Sequence, residues 1–135
     1  MNLFTLEIIH EFLAHDKVNI ARSHPTKKVL ITGGKDAMLK VWNTDVNYQH
    51  LLTIPAHNWA LYSIIFSSDN QYMITASRDK TIKIWDANTL DLLERIDYKS
   101  HKAHTHSINC LYWPQGKDYF ISGGDDKKIM AWKIS

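Results

Sequence analysis

The sequence predicts an all-β protein made of three copies of one unit. Three markers recur at matching distances along the 135 residues. An Ala-His pair precedes each Asp by 21, 22 and 22 residues, counted from the His, and a Trp follows each Asp by six residues. The Asp residues are Asp36, Asp79 and Asp126, separated by 43 and 47 residues. A period near 45 residues therefore accounts for nearly the whole chain.

Repeat two shows the strands of the unit most clearly. Leu61, Ile64 and Phe66 form an apolar segment, and the alternation in Thr81-Ile82-Lys83-Ile84-Trp85 is typical of a half-buried strand. Short polar segments that favour turns separate the apolar ones. The predicted strands, in order, are 61–66, 72–75, 81–85 and 92–96. Four short antiparallel strands in a unit of this length predict one blade of a β-propeller.

The same division gives a single three-blade unit over residues 1–135. Blade 1 covers residues 14–54, blade 2 covers 55–98, and blade 3 covers 99–135. Repeat one has Ala21 and Ser23 where repeat two has Ile64 and Phe66, so its first strand should have the poorest core contacts. Residues 1–13 contain LEIIHEF, which resembles the fourth-strand segments LLTI and LLERI, whereas blade 3 contains no fourth strand.

Composition narrows the class of protein. A hydrophobic fraction of 44% with 22% charged residues predicts a soluble globular chain, and a net charge of +2 does not indicate nucleic acid or membrane partners. No apolar run could span a membrane, and Glu7 and Glu11 argue against a signal peptide. Cys110 is expected in the core, and a single cysteine is compatible with the reducing cytoplasm, the predicted location.

The markers together resemble the WD-repeat β-propeller family over essentially the whole chain. The usual Gly-His is Ala-His here, and only Trp85 is followed by Asp. The resemblance implies that each blade holds a structural hydrogen-bond network that ties a loop to three strands. Small residues at 33–34, 76–77 and 123–124 would allow close packing at the turns, and glycine would permit a positive φ. The predicted network residues are His15, Thr32, Asp36, Trp42, His57, Thr75, Asp79, Trp85, His104, Ser122, Asp126 and Trp132.

Two alternatives would give these residues a chemical role. His104, Ser122 and Asp126 include the residue types of a hydrolase triad, but the set recurs three times on strands expected to be buried. His101, His104 and His106 suggest zinc by their spacing, but the network already uses His104. We therefore expect no catalytic residue, no metal and no cofactor.

Trp59 lies in the loop before the first strand of blade 2, where the other repeats have Lys17 and His106. A large aromatic residue near Arg78 is typical of a protein-binding hot spot, and packing against the adjacent blade is the alternative. In the WD-repeat family, which this chain resembles, the loops before the first strand and the turns between strands two and three lie on one face. This face is the one that usually binds partners. The resemblance thus implies a face for a protein or peptide made of Asp16, Lys35, Asn58, Trp59, Arg78, Lys80, Thr105, His106, Asp125 and Lys127.

Three blades are fewer than the roughly four to eight of a closed propeller, so the end blades should leave apolar faces in water. The family closes its rings by sharing one blade between the two chain ends. We therefore expect residues 6–12 of one molecule to add a fourth strand to blade 3 of another. The resulting homo-oligomer would be a six-bladed dimer, or second a nine-bladed trimer. The alternative is a fragment or engineered part of a larger propeller whose partner is the missing blades.

Overall fold

A computed structural model describes residues 4–135. Over these residues the chain forms short strands joined by tight turns, together with one helical turn, and no helix here is long and apolar enough to cross a membrane. The elements are β1 (Val18–Ser23), β2 (Val29–Gly34), β3 (Met38–Asn43), β4 (Gln49–Pro55), β5 (Leu61–Phe66), β6 (Tyr72–Ser77), β7 (Ile82–Asp86), β8 (Leu92–Ile96), α1 (Tyr98–His101), β9 (Ile108–Tyr112), β10 (Tyr119–Gly124) and β11 (Ile129–Lys133).

The strands form three separate antiparallel sheets that follow chain order. β1 to β4 form the sheet of blade 1, β5 to β8 form that of blade 2, and β9 to β11 form the three-stranded sheet of blade 3. The predicted all-β fold with propeller-like blades is confirmed. β6 runs two residues past its predicted end, and α1 was not predicted, because a single turn capped by Asp97 has no helical periodicity to detect.

Two apolar cores hold the blades face to face. Between blades 1 and 2, Ile31 and Val41 pack with Ile64, Met73 and Trp85. A second core between blades 2 and 3 includes Ile74, Ile84, Ile108 and Phe120. Since adjacent residues of a strand point to opposite faces, blade 2 supplies Met73 to one core and Ile74 to the other. Blade 2 is therefore covered on both faces, and blades 1 and 3 on one each.

The outer face of blade 3 is open to water. Ile129 is 80% exposed and Tyr112 is 62% exposed. The prediction that Cys110 lies in the core is wrong, because its thiol is exposed. Cys110 and Tyr112 occupy the register positions that Ser63 and Ile65 hold in blade 2, where both are buried. The difference is the neighbour: blade 3 covers this face of blade 2, and no blade within the chain covers blade 3.

Blade 1 has the weakest first strand, as predicted. β1 is exposed at four of its six residues and contains no fully buried one, whereas β5 has four buried residues. Residues 4–13 form no strand within the chain. Their apolar side chains Leu6, Ile8 and Ile9 are each more than three-quarters exposed, and the Phe12 ring centroid lies 4.7 Å from that of Trp42. The strand predicted for residues 6–12 needs a partner molecule and stays a prediction.

Candidate protein-interaction face

A chain of hydrogen-bonding contacts links the four marker residues of each blade. In blade 2, His57 Nδ1 is 3.0 Å from the Asp79 carboxylate and His57 Nε2 is 2.8 Å from Thr75 Oγ1. The indole N–H of Trp85 donates to the same Thr75 oxygen at 2.9 Å. The imidazole–hydroxyl distance is 2.8 Å and the indole–hydroxyl distance is 2.9 Å in blades 1 and 3 as well. The structure thus brings together all twelve residues of the predicted networks, four in each blade.

The direction of these hydrogen bonds follows from the chemistry of the groups. The carboxylate only accepts, so imidazole Nδ1 carries the proton that it receives. The indole only donates, so the Thr75 hydroxyl accepts from Trp85 and donates to Nε2 of His57. Every group is then satisfied with a neutral imidazole. The network connects the loop at residue 57 to β6, β7 and the turn between them.

Electrostatics agree with a neutral His57 and an ionised Asp79. Burial lowers the pKa of His57, and the nearby Asp79 offsets only part of this effect. Burial alone would raise the pKa of Asp79, but hydrogen bonds from His57, Thr81 and the Asn58 amide hold that pKa well below its ordinary value. The carboxylate of Asp126 behaves likewise: hydrogen bonds from His104 and two backbone amides outweigh burial and lower its pKa.

Each Asp also shapes the turn in which it lies. Asp79 Oδ1 accepts from the Thr81 amide at 3.0 Å, and Asp36 and Asp126 make the equivalent contact two residues on. The residue after each Asp adopts a positive φ, with values of 67° at Ala37, 71° at Lys80 and 68° at Lys127. The residue with the left-handed backbone conformation is therefore not a glycine in any of these turns. It follows the Asp, whereas the small residues at 33–34, 76–77 and 123–124 precede the Asp.

The glycines contribute close packing. A Cβ on Gly34 would lie 2.2 Å from the carbonyl oxygen of Lys17, and one on Gly124 would lie 2.7 Å from His104 Nδ1. Neither glycine has a positive φ. Blade 2 has Ser77 at this position, and its hydroxyl donates to the Ala60 carbonyl at 2.8 Å. The turn thus approaches the preceding loop closely in two ways: blades 1 and 3 have a glycine without a Cβ, and blade 2 has a hydrogen bond from Ser77.

Neither chemical alternative fits this geometry. Ser122 is 0% exposed and its hydroxyl contacts both His104 and Trp132, so it presents no oxygen to a substrate. Both ring nitrogens of His104 are already bonded, to Asp126 and Ser122. Within residues 4–135 no group of three His, Cys, Asp or Glu side chains could hold a metal ion.

Three contacts of these networks were not predicted from the sequence. The Thr81 hydroxyl donates to Asp79 Oδ1 at 2.6 Å, but the other repeats have Met38 and Lys128 there, so no repeated signal marks it. Lys40 and Lys83 donate from Nζ to the carbonyls of Ala14 and Ala56, the Ala of the first two Ala-His pairs, at 2.7 Å and 2.5 Å. Both lysines stand two residues before the Trp, and this shared position could have revealed them.

The predicted contact residues lie on the loops that the networks hold. Backbone hydrogen bonds join the loop before the first strand to the turn between strands two and three: Lys35 donates to Lys17, Arg78 to Ala60, and Asp125 to Ser107. These loops and turns therefore share one face, which we call the loop face. Its ten predicted residues are all exposed: Asp16, Lys35, Asn58, Trp59, Arg78, Lys80, Thr105, His106, Asp125 and Lys127.

Trp59 is the largest exposed side chain of the loop face. Its surface is 54% exposed, and the Arg78 guanidinium carbon lies 4.7 Å from the centroid of its ring. Trp59 thus stacks with a residue of its own blade and is not buried against the next one. A stacked guanidinium and indole form a rigid, amphipathic surface.

A cleft of about 340 Å³ opens between blades 2 and 3. We call it the interblade cleft, and its walls come from the turn after β6, the segment around α1 and the loop before β9. Its lining residues are Asp79, Lys80, Thr81, Arg95, Asp97, Tyr98, Lys99, His104 and Thr105.

Comparison with known proteins identifies the repeat. Residues 6–43, 48–86 and 97–133 each match the family described as WD domain, G-beta repeat. The chain belongs to the WD-repeat family. WD-repeat proteins are generally non-catalytic interaction modules, which agrees with the buried, saturated networks.

Individual relatives of this WD-repeat chain are longer. The WD repeat-containing protein 55 homolog of Dictyostelium discoideum is 32% identical over 113 residues, which is 82% of this chain and 26% of that protein. The solved structure of U3-55K superposes with a TM-score of 0.79 at 20% identity, over 90% of this chain and 38% of that one. The crystal structure of the RRP9 WD40 repeats gives the same TM-score over 37% of its chain. The two structural matches support the propeller-like fold alone.

Proposed function

We propose that this WD-repeat chain is a non-catalytic scaffold that binds a protein or peptide on its loop face. The observation that carries the proposal is the stacked pair of Trp59 and Arg78, exposed at the centre of a rigid set of loops. Trp and Arg are enriched at the residues that dominate binding free energy. The stacking holds Arg78 in place before a partner arrives, so less side-chain entropy is lost on binding.

Affinity purification with four forms of the chain tests this function. The wild type, Trp59→Ala, Arg78→Ala and Val46→Ala are immobilised, and captured proteins are quantified by mass spectrometry. Val46 is the control, because it is an exposed apolar residue in the turn between β3 and β4, outside the loop face and the outer face of blade 3. We expect a protein that is captured by the wild type and Val46→Ala and lost with the other two variants. Equal capture by all four forms would contradict a binding role for Trp59 and Arg78.

A screen for hydrolase activity separates the scaffold from the enzyme alternative. A buried, fully hydrogen-bonded Ser122 should support no hydrolysis. Activity that disappears in Ser122→Ala while the fold is retained would contradict a non-catalytic role.

A second proposal concerns the open blade faces: further blades cover them in the working assembly. The exposed Ile129 and Tyr112 on blade 3 support it, because apolar surface of this kind normally meets a partner. The first family match includes residues 6–12, and the LEIIHEF segment resembles the fourth-strand segments LLTI and LLERI, which supports a fourth-strand role for these residues. In a homo-oligomer these residues would pair beside β11 of another copy by strand exchange.

The number of copies is part of this proposal. A dimer with six blades is favoured and a trimer with nine is second. The alternative is that the missing blades belong to a longer propeller, and the chain does span only about a quarter to two fifths of the proteins it matches.

Light scattering after size exclusion distinguishes these assemblies. A mass of twice or three times the 15.7 kDa of the chain indicates a dimer or a trimer. Removal of residues 1–12 should then convert the oligomer to monomer, and an unchanged oligomer would contradict strand exchange. A monomeric or polydisperse wild type would favour a propeller completed by other blades.

The cytoplasmic location belongs to the same set of proposals. An exposed, unpaired Cys110 thiol is best preserved in a reducing compartment. Imaging of a fluorescent fusion tests this, and a signal confined to a secretory compartment would contradict it.

A further inference from the structure

The cationic side chains that line the interblade cleft are more available to a ligand than its acidic side chains are. Asp79 is saturated, because it accepts hydrogen bonds from His57, Asn58 and Thr81. Asp97 accepts from the Ser100 amide at 2.8 Å and from Arg95 Nη1 at 2.6 Å. Both carboxylates of the lining therefore already accept hydrogen bonds from their own neighbours, and Arg95 is the cationic partner of Asp97.

The cationic side chains of the cleft have hydrogen-bond donors left for a ligand. Lys80 and Lys99 are exposed, and neither forms an ion pair with any residue from 4 to 135. Arg95 has five N–H donors, and the contact with Asp97 occupies one of its nitrogens.

We propose that the interblade cleft binds a carboxylate side chain from an acidic segment of a partner protein. This inference rests on the proposed function, because it names the chemistry of the partner on the same loop face. Lys80, Arg95 and Lys99 surround a cavity of about 340 Å³, which accommodates a Glu or Asp side chain. Charge-assisted hydrogen bonds from ammonium and guanidinium groups would hold the carboxylate.

The position of the cleft links it to the Trp59–Arg78 pair. Arg78 and Lys80 belong to the same turn after β6, so this turn has the stacked pair at one side and the cleft at the other. One extended peptide crossing this turn would contact both. A protein segment fits better than single-stranded nucleic acid, which needs several aromatic platforms along a basic groove. Here Arg78 already covers Trp59, and Asp16 and Asp125 interrupt the positive charge of the face.

Nuclear magnetic resonance titration of the full chain with a capped hexaglutamate peptide tests the inference. We expect shifts in the amides of Thr81, Tyr98 and Thr105, which line the cleft. Lys99→Glu should weaken the peptide affinity by at least about tenfold, because it replaces a charge-assisted donor with a repelling carboxylate. Lys117→Glu makes the same charge change in the exposed turn between β9 and β10, away from the loop face, and should leave the affinity unchanged within about twofold.

Three outcomes would overturn the inference. The first is hexaglutamate binding that Lys99→Glu and Lys80→Glu weaken no more than Lys117→Glu does. The second is no saturable shift at the cleft with hexaglutamate. The third is tighter binding of a phosphoserine hexapeptide or of hexauridylate than of hexaglutamate, which would assign the cleft to phosphate groups of a modified protein or of RNA.

The Trp59→Ala variant separates this inference from the proposed function. Loss of captured protein in Trp59→Ala without any effect of Lys99→Glu would leave the loop face as a binding surface and remove the cleft from it. Hexaglutamate binding at the cleft with capture insensitive to Trp59→Ala would support the cleft alone.

Discussion

Replacing Asp79 by alanine should destabilise the chain strongly. The carboxylate accepts hydrogen bonds from His57 Nδ1 at 3.0 Å, the Asn58 amide at 3.1 Å, and the amide and hydroxyl of Thr81 at 3.0 Å and 2.6 Å. The His57 side chain is 0% exposed and Thr81 is 2% exposed, so water cannot readily replace the lost acceptor. Each stranded buried donor costs about 1–3 kcal/mol, but relaxation makes such costs less than additive. We expect a loss of about 3–5 kcal/mol, a large part of a typical total of about 5–15 kcal/mol.

Urea unfolding followed by tryptophan fluorescence measures this loss. With a slope of about 1.5 kcal/mol per molar, a loss of 3 kcal/mol lowers the midpoint by about 2 M. Asp45→Ala is the control, since within residues 4–135 the Asp45 carboxylate forms only an exposed ion pair with Lys28 at 3.6 Å, and its effect should stay within about 0.5 kcal/mol. Asp79→Asn retains one acceptor oxygen and should fall between the two. A midpoint for Asp79→Ala equal to that of Asp45→Ala would refute the network as a source of stability.

Three further predictions concern acid, close packing and the open blade. Folding lowers the pKa of both His57 and Asp79, so the folded state binds fewer protons than the unfolded state. The stability of the fold should therefore decrease as the pH drops below 6.5, where His57 of the unfolded chain takes up a proton, and again below 3.8, where Asp79 does. A urea midpoint that does not change between about pH 7 and about pH 5 would contradict this contribution of His57. Gly34→Ala should lower the free energy of unfolding by about 1–3 kcal/mol, because the added Cβ meets a backbone carbonyl. Gly123→Ala should lower it less, because the added Cβ meets only the Cys110 thiol. Equal thermal midpoints for the two variants would contradict the packing argument. The Cys110 thiol should react rapidly with Ellman's reagent in the monomer and slowly in any assembly that covers blade 3, and equal rates would show that this face stays open.

The sequence was most informative where a residue type recurs at a fixed spacing. The contacts of His57, Thr75, Asp79 and Trp85 could be predicted from the resemblance to the WD-repeat family. Strand register explains them, because it brings positions 10 to 22 residues apart side by side within a blade. Thr81 could not be predicted, since it joins the network in one repeat only. The positive φ at Lys80 depends on the turn type, which the glycine pairs did not reveal.

Burial and clefts depended on neighbours that the sequence pattern does not describe. Cys110 has an apolar context in the sequence, yet its exposure depends on whether another blade packs against it. The interblade cleft is lined by Arg95 of β8 and by Asp97 and Lys99 of the segment between β8 and β9. Six residues, 97–102, precede the Ala-His pair in this segment, whereas β4 of blade 1 ends at Pro55, directly before the next Ala-His pair. Such unrepeated segments carry no period to analyse, although they distinguish one surface of this kind from another.

The locality of the networks has a consequence for the order of folding. The network of blade 2 closes contacts that span 10, 18 and 22 residues and needs no residue from another blade. Short contact separations favour fast formation, so a blade can consolidate before the cores between blades are complete. Blade 2 gains from both cores and should acquire hydrogen-exchange protection first, at Thr75 and Trp85, while β1 and β11 acquire it last.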